Sequence, residues 1–242
     1  MKNPDLTLIF PVYNEENLIQ DTLDKSVSYL NKLKLNWEII VVDDGSNDKT
    51  VEIVRNYENK NVILLKLDEN MGKGAALKKG IQAARGHNVI FSDADLSVDI
   101  KKIKNFVEAL KSTDVAIASR RTKGSDIVVH QPFARETMGK VFTALTKTLM
   151  GVNLSDFTCG FKGFRNTAAK DIFSHALINR WAYDAEILFL AHKYGYKIKE
   201  IPVVWKNRKD TKVKLFDAVV TSFRDLLRIR WWNIQGKYEK TS

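Results

Sequence analysis

Short apolar runs alternate with amphipathic stretches along the first half of the chain. Runs rich in Leu, Ile and Val are typical of strands buried on both faces, whereas apolar residues at helical spacing indicate helices packed on a sheet. The pattern predicts strands at 6–12, 37–42, 61–67, 87–91 and 115–119, and helices at 15–33, 48–57, 74–85 and 98–110. This alternation predicts an α/β fold with a mostly parallel sheet flanked by helices.

The second half of the chain is less regular. It predicts helices at 132–150, 181–194 and 214–232, a strand at 198–205, and a glycine- and aromatic-rich segment at 154–165. The last helix carries an apolar stripe that ends at Trp231 and Trp232, and Arg224, Arg228 and Arg230 accompany it. This combination is typical of an amphipathic helix in a membrane interface, and packing of the same stripe on the core is the alternative.

Composition limits the classes of protein that fit this pattern. The chain has 242 residues, of which 44% are hydrophobic, and this is enough for a sizeable core. No apolar run approaches the roughly 18 residues that a membrane-spanning helix needs. The single cysteine, Cys159, excludes an internal disulfide and suits a reducing compartment. We expect a catalytic domain over 1–213 and an amphipathic helix and tail over 214–242, in a cytoplasmic protein peripheral to a membrane.

The positive charge is unevenly distributed. The formal net charge is +10; residues 1–50 hold five basic and nine acidic side chains, whereas residues 200–242 hold ten basic and five acidic. A basic C-terminal region indicates an anionic partner, namely nucleic acid, lipid headgroups or a phosphorylated substrate, although a solvated basic surface gives the same signal. The sequence carries no RNA-recognition or helix-turn-helix signature, which argues against nucleic acid.

Acidic side chains follow two of the predicted parallel strands. Asp43 and Asp44 come after the second strand, and Asp93 and Asp95 come after the fourth. Because ligands of such sheets bind beyond the carboxyl ends of the strands, we expect both acidic pairs at the same edge. Paired carboxylates suit Mg²⁺ or Mn²⁺ together with substrate phosphates, although an isolated Asp-x-Asp triplet is also common in turns.

Four motifs in order carry a resemblance to a known family. They are FPVYNEE from Phe10, VVDDGSNDKT from Val41, NMGKGAALKKGI from Asn70 and SDADLS from Ser92. Their order and spacing resemble the family 2 glycosyltransferases, which are inverting enzymes with the GT-A fold. Three later segments, IASR from Ile117, DFTCGFKGF from Asp156 and RWAYDAEILFLA from Arg180, are most similar to dolichyl-phosphate β-glucosyltransferases. Dolichyl-phosphate mannose synthases are related, and the resemblance extends from about Leu6 to Trp232.

The resemblance implies roles for individual residues. It implies a metal, Mg²⁺ or Mn²⁺, on Asp93 and Asp95. The implied nucleotide-sugar-binding residues are Pro11, Tyr13, Asn14, Glu15, Val42, Asp44, Gly72, Lys73, Asp93, Ala94, Asp95, Asp184, Arg208 and Lys212. The implied catalytic residues are Asp95, Asp156, Arg120 and Arg135, and the two arginines face the acceptor phosphate. Gly72 is interpreted as allowing close approach of the nucleotide, and Asp156 as positioning the sugar.

The activity implied by the resemblance is inverting transfer of glucose from UDP-glucose to a polyprenyl phosphate at a membrane surface. Asp184 favours a glucose-type donor, because the mannose synthases carry a different residue there. Three alternatives remain open: a soluble glycan or protein acceptor, GDP-mannose as the donor, and a basic binding module without catalysis. The oligomeric state is not indicated by the sequence.

Overall fold

The structure is a computed structural model that describes residues 3–129, 133–206 and 215–240. For residues 129, 133–135 and 215–220 it describes the backbone only. Its strands are β1 Leu6–Val12, β2 Trp37–Asp43, β3 Val62–Lys66, β4 Asn88–Phe91, β5 Val115–Ser119, β6 Asp126–Val129, β7 Lys162–Arg165, β8 Ile198–Pro202 and β9 Val204–Lys206. Its helices are α1 Ile19–Leu30, α2 Thr50–Arg55, α3 Lys73–Ala83, α4 Ile103–Ala109, α5 Phe133–Met150, α6 Asn166–His175, α7 Tyr183–Lys193 and α8 Leu215–Ile234.

Within these residues, seven strands form one sheet in the order β3-β2-β1-β4-β7-β5-β8, and β6 pairs with β9 in a second, small sheet. All pairings in the large sheet are parallel except those of β7, which lies antiparallel between β4 and β5. The predicted α/β class with a mostly parallel sheet is therefore confirmed, and so are the five strands predicted in the first half of the chain.

Four features of the second half differ from the prediction. β6, β7 and α6 lie where no strand or helix was predicted, and within β7 the residues Lys162 and Gly163 interrupt the apolar pattern. The predicted strand at 198–205 is wrong as a single strand: it divides into β8 and β9, which belong to different sheets. The division follows the buried Val203, whose N–H donates to Ser119 at the end of β5.

The central strands are covered by helices on both faces. Along β1, Leu6, Leu8 and Phe10 point into a core with α1 and α4, whereas Ile9 points into a core with α3, α6 and α7. Because β1 and β4 run parallel to β2, the ends of these strands meet at one edge, as expected for the two acidic pairs. This edge carries the candidate site.

The apolar residues of α8 are partly buried in the core and partly exposed to solvent. Leu226 and Ile229 are buried in the core that α7 also lines, whereas Phe223, Leu227 and Trp231 are exposed. The helix also packs against α5. In the part of the chain that the structure describes, no helix is both long and apolar enough to cross a membrane. The domain boundary predicted at 213 lies outside the described residues.

Candidate active site

The loops that follow β1 and β2 are joined by hydrogen bonds at the carboxyl edge of the sheet. The backbone N–H of Asn14, a residue with φ of 54°, donates to Ser46 Oγ at 2.8 Å. In return Asn14 Oδ1 accepts from the backbone N–H of Asn47 at 2.8 Å. The Glu15 N–H donates to Thr50 Oγ1 at 2.8 Å. Asn14 and Glu15 thus hold the rim of the cleft in one conformation.

The other predicted nucleotide residues of this region differ in their exposure. Pro11 and Tyr13 are partly exposed, so the structure leaves both accessible to a ligand. Val42 is fully buried, and one of its methyl groups packs against Gly80 of α3, although its backbone lies opposite Pro11 in the sheet. Any contact between Val42 and a nucleotide would therefore be made by its backbone.

Asp44 holds the loop that leads into α3. Its carboxylate accepts the backbone N–H of Met71 at 2.8 Å and that of Gly72 at 2.9 Å. Burial raises the pKa of Asp44, and these two hydrogen bonds oppose the rise because they stabilise the carboxylate. Asp44 lies beside the cleft, as the resemblance implies, and it has a structural role there.

The glycines of this loop make room for another part of the chain. Gly72 has φ of 104°, and a methyl group on it would lie 2.5 Å from the carbonyl oxygen of Asn179. The Gly74 N–H donates to that same oxygen at 2.8 Å. The close neighbour of both glycines in this structure is therefore the segment before α7, so backbone packing alone accounts for glycine at these positions.

Asp93 lies between a lysine and a glycine. One carboxylate oxygen accepts a hydrogen bond from Lys73 Nζ, and the other faces Gly160 so closely that a methyl group there would overlap it. Burial opposes a charge on Lys73, but Asp93, Tyr183 and Asp184 together outweigh this effect, and the pKa of Lys73 is raised well above its usual value. The sequence did not indicate Gly160; only its contact with Asp93 shows why a side chain is excluded there.

Asp95 is supported by its own loop. The backbone N–H of Ser97 donates to Asp95 Oδ1 at 2.9 Å, and the Ser97 hydroxyl donates to Oδ2 at 2.7 Å. Between the two acids, Ala94 is buried and its carbonyl accepts from the Thr22 hydroxyl. The loop is held further by Ser97, whose carbonyl accepts the N–H of Lys206.

Arg120 and Asp156 form a two-pronged ion pair. Arg120 Nε donates to Asp156 Oδ2 at 2.7 Å, and Nη2 donates to Oδ1 at 2.9 Å. Nη2 also donates to Thr158 Oγ1 at 2.8 Å, and the guanidinium lies 5.4 Å from the ring centroid of Trp205. Burial by itself favours the neutral forms, but the mutual attraction lowers the pKa of Asp156 and raises that of Arg120.

This pairing bears on the role expected for Asp156. Its side chain is fully buried and both of its oxygens accept hydrogen bonds from Arg120, and the sugar-positioning role stays a prediction. In this structure its two hydrogen bonds fix the orientation of the Arg120 guanidinium. Within the described chain, Nη1 is the one nitrogen of the Arg120 side chain without a hydrogen bond.

Asp184 also has an internal partner. It accepts a hydrogen bond from Lys162 Nζ, and both residues are buried. The same ammonium group donates to the carbonyl of Cys159 at 2.7 Å. Burial raises the pKa of the Cys159 thiol to about 11, which excludes an activated nucleophile at neutral pH. Sequence reasoning missed Lys162; a lysine enclosed by aromatic residues in FKGF was the available signal.

Three predicted residues cannot be placed at atomic detail. Arg135 lies near the start of α5, but its side chain is outside the described part. Arg208 and Lys212 lie outside the described residues altogether. Their roles stay predictions.

A comparison with known families identifies the chain. The family described as Glycosyl transferase family 2 matches residues 7–173, which is more than half of its length. The chain belongs to this family. It is a glycosyltransferase, and the cleft at the carboxyl edge of its sheet is the candidate active site.

Curated relatives align with this glycosyltransferase over most of their length. The dolichyl-phosphate beta-glucosyltransferase of Dictyostelium discoideum is 34% identical over 246 residues, covering 96% of this chain and 75% of the relative. The human protein of the same name is 30% identical over 249 residues, covering 96% of this chain and 77% of the relative. The family predicted from the sequence is therefore confirmed.

Solved structures confirm the fold of the glycosyltransferase. Mannosyl-3-phosphoglycerate synthase from Rubrobacter xylanophilus superposes with a TM-score of 0.72 at 15% identity, covering 99% of this chain and 77% of that one. Glucosyl-3-phosphoglycerate synthase from Mycobacterium tuberculosis, in complex with UDP and Mn²⁺, gives a TM-score of 0.66 at 18% identity, covering 94% of this chain and 80% of that one.

The carboxylate oxygens at the candidate metal position of the glycosyltransferase suit a cation that the substrate also coordinates. The described residues contain no group of three His, Cys, Asp or Glu side chains able to hold a metal by themselves. They provide the Asp93 and Asp95 carboxylates, one of which already accepts an ammonium cation. Two carboxylates fit Mg²⁺ or Mn²⁺ when substrate phosphate oxygens and water complete the coordination.

Proposed function

We propose that the enzyme transfers glucose from UDP-glucose to a polyprenyl phosphate with inversion at the anomeric carbon. One structural relationship carries the proposal. The segment leading into β7 contacts Asp93 through Gly160 and Arg120 through Asp156, so it links the acidic and the basic halves of one cleft. A cation site next to a cationic side chain suits two anionic reactants that must approach each other.

The identity of the substrates rests on the curated relatives. Two of them, at 34% and 30% identity over nearly the whole chain, are named as glucosyltransferases acting on dolichyl phosphate. A polyprenyl phosphate is therefore the proposed acceptor and glucose the proposed sugar. Asp184 is the residue that favours a glucose-type donor. Its carboxylate is paired with Lys162 near the implied donor site.

Asp93 and Asp95 are the residues that would hold a divalent metal, which would neutralise the charge of the departing diphosphate when bound. The protein supports both acids, because Ser97 fixes Asp95 while Lys73 and the Gly160 backbone confine Asp93. Lys73 adds a second positive charge on the diphosphate side of the cleft.

The chemistry requires no general base from the protein. A phosphate monoester is anionic at neutral pH, so its oxygen can attack the anomeric carbon directly while the bond from that carbon to UDP breaks. UDP leaves with the bonding electron pair, and the α-linked donor gives a β-linked product. Arg120 would hold the acceptor phosphate through Nη1, in the orientation that Asp156 imposes.

The exposed side of α8 supports a peripheral membrane location. Phe223, Leu227 and Trp231 are solvent-exposed along one stripe, and Arg224 and Arg230 are exposed next to it. An apolar stripe bordered by arginines suits the interface of a membrane that contains anionic lipids. We propose the cytoplasmic face, and the buried, unpaired Cys159 is compatible with its reducing conditions.

The test is a transfer assay with purified protein, Mn²⁺ or Mg²⁺, a short polyprenyl phosphate and a panel that includes UDP-glucose and GDP-mannose. We expect a β-linked lipid-phosphate glucose from UDP-glucose, lost in Asp95→Asn and retained in Asp99→Asn, an exposed acid of the same loop. Transfer from GDP-mannose alone, or to a soluble acceptor in preference to the lipid, would contradict the proposal.

A further inference from the structure

Lys73 occupies one of the two carboxylates that would receive the metal. Its ammonium group is hydrogen-bonded to Asp93, while the other side of that carboxylate is closed by Gly160. The Lys73 side chain is about one-third exposed, so it lies at the cleft surface and is free to reach an incoming ligand. A divalent cation that approaches Asp93 therefore meets a resident positive charge.

The Lys73 ammonium already lies against a second possible partner, Tyr183. The Lys73 Nζ atom is 5.8 Å from the ring centroid of Tyr183, a residue that is buried. Within the described residues, the Tyr183 hydroxyl is one of three buried side-chain atoms without a hydrogen-bond partner. Such an orphaned hydroxyl is costly, and a donor that moves onto it removes the cost. The neighbouring carboxylate of Asp184 is already paired with Lys162.

We infer that Lys73 is an exchangeable counter-ion, which holds Asp93 before the donor arrives and yields it to the metal. On this account Lys73 then moves to the Tyr183 hydroxyl and the donor diphosphate, so that metal and nucleotide bind together better than either binds alone. The inference rests on the metal assignment of the proposed function. It adds that Lys73 and the metal compete for the Asp93 carboxylate, so removing Lys73 should change the affinity for the metal in a known direction.

The test measures Mn²⁺ affinity without nucleotide, by electron paramagnetic resonance of free Mn²⁺, and UDP affinity with and without Mn²⁺ by calorimetry. In Lys73→Met, Mn²⁺ should bind about fivefold more tightly or better, because the competitor is removed, whereas UDP with Mn²⁺ should bind more weakly. The matched control is Lys79→Met, which removes the same charge from the same helix at a lysine that contacts the Lys66 carbonyl instead. This control should bind Mn²⁺ as the wild type does.

Tyr183→Phe tests the role of the Tyr183 hydroxyl, and this test does not require that the Lys73→Met variant folds. It deletes one hydroxyl and keeps the buried ring, so the fold should be kept. Lys73 then has a poorer alternative to Asp93, and Mn²⁺ should bind more weakly than in the wild type, opposite to the effect of Lys73→Met.

The outcomes separate the two proposals. Unchanged or weaker Mn²⁺ binding in Lys73→Met, or unchanged binding in Tyr183→Phe, overturns the exchange while the metal site stands. Equal Mn²⁺ binding by the wild type and by Asp93→Asn overturns the metal assignment itself, and the exchange with it.

Discussion

The Arg120 guanidinium and the Asp156 carboxylate are joined by two hydrogen bonds, at 2.7 and 2.9 Å, and the acid is completely enclosed. Sequence reasoning assigned both residues to the reaction, each with its own role. The structure couples them, because the buried carboxylate fixes the orientation of the guanidinium. Thr158 completes the arrangement by accepting from Nη2.

Asp156→Asn should therefore impair acceptor binding and stability together. Removing one partner of a buried ion pair leaves the other charge uncompensated and costs about 3–5 kcal/mol. We expect a higher KM for the lipid phosphate, a nearly unchanged KM for the nucleotide sugar, and a lower Tm. Thr158→Val is the milder control, because it removes a single hydrogen bond. A normal acceptor KM in Asp156→Asn would show that the orientation of Arg120 is unimportant.

The same pair predicts a response to acid. The pKa of Asp156 is held below its usual value by Arg120, so its contribution to stability is present above the unfolded-state value of about 3.9 and is lost as the pH falls through the folded value. The unfolding free energy of the wild type should fall below about pH 4 more steeply than that of Asp156→Asn. Parallel curves in urea titrations across this range would contradict the assignment.

Glu186 predicts the opposite response at higher pH. Burial raises its pKa, although its carboxylate accepts the backbone N–H groups of Leu177 and Ile178 and the hydroxyl of Tyr238. A raised folded value means that the contribution of Glu186 to stability is fully present below about pH 4.3, the unfolded-state value, and is lost as the pH rises through the folded value. Glu186→Gln should flatten this decline in urea titrations, and an unchanged slope would exclude Glu186 as its source.

Gly160→Ala tests the geometry of the acid pair. The added methyl group overlaps one oxygen of Asp93, so the carboxylate must turn away from its present position. We expect Mn²⁺ affinity to fall about tenfold or more, as is typical when the support of a metal ligand is lost. Gly139→Ala is the control, since its added methyl meets only the flexible end of Arg121 at 3.2 Å. Unchanged Mn²⁺ binding in Gly160→Ala would mean that Asp93 need not hold its present orientation.

The exposed stripe of α8 predicts binding to lipid vesicles. Replacing Phe223, Leu227 and Trp231 with Ser should reduce cosedimentation with vesicles that contain anionic lipid, while activity on a detergent-dispersed short acceptor is kept. Leu177→Ser, which removes an equally exposed apolar side chain between α6 and α7, should have no effect. Vesicle binding that survives the triple replacement would place the membrane contact elsewhere.

Much of the fold could be predicted because the information is local. Continuous apolar runs such as 37–42 are long enough to indicate buried strands, and the strand–helix alternation indicates a parallel sheet. β7 could not be predicted in this way. Its first residue is Lys162, whose charge looks incompatible with a central strand until Asp184, 22 positions later, is seen to neutralise it.

The sequence by itself determined the family, the sheet edge that carries the site and the acids that line it, since these follow from local periodicity and from motifs in order. The tertiary structure alone decided which charges neutralise one another: Arg120 with Asp156, Lys73 with Asp93, and Lys162 with Asp184. The physical reason is that a buried charge is stabilised by whichever opposite charge lies next to it, and chain folding brings those neighbours together from distant positions.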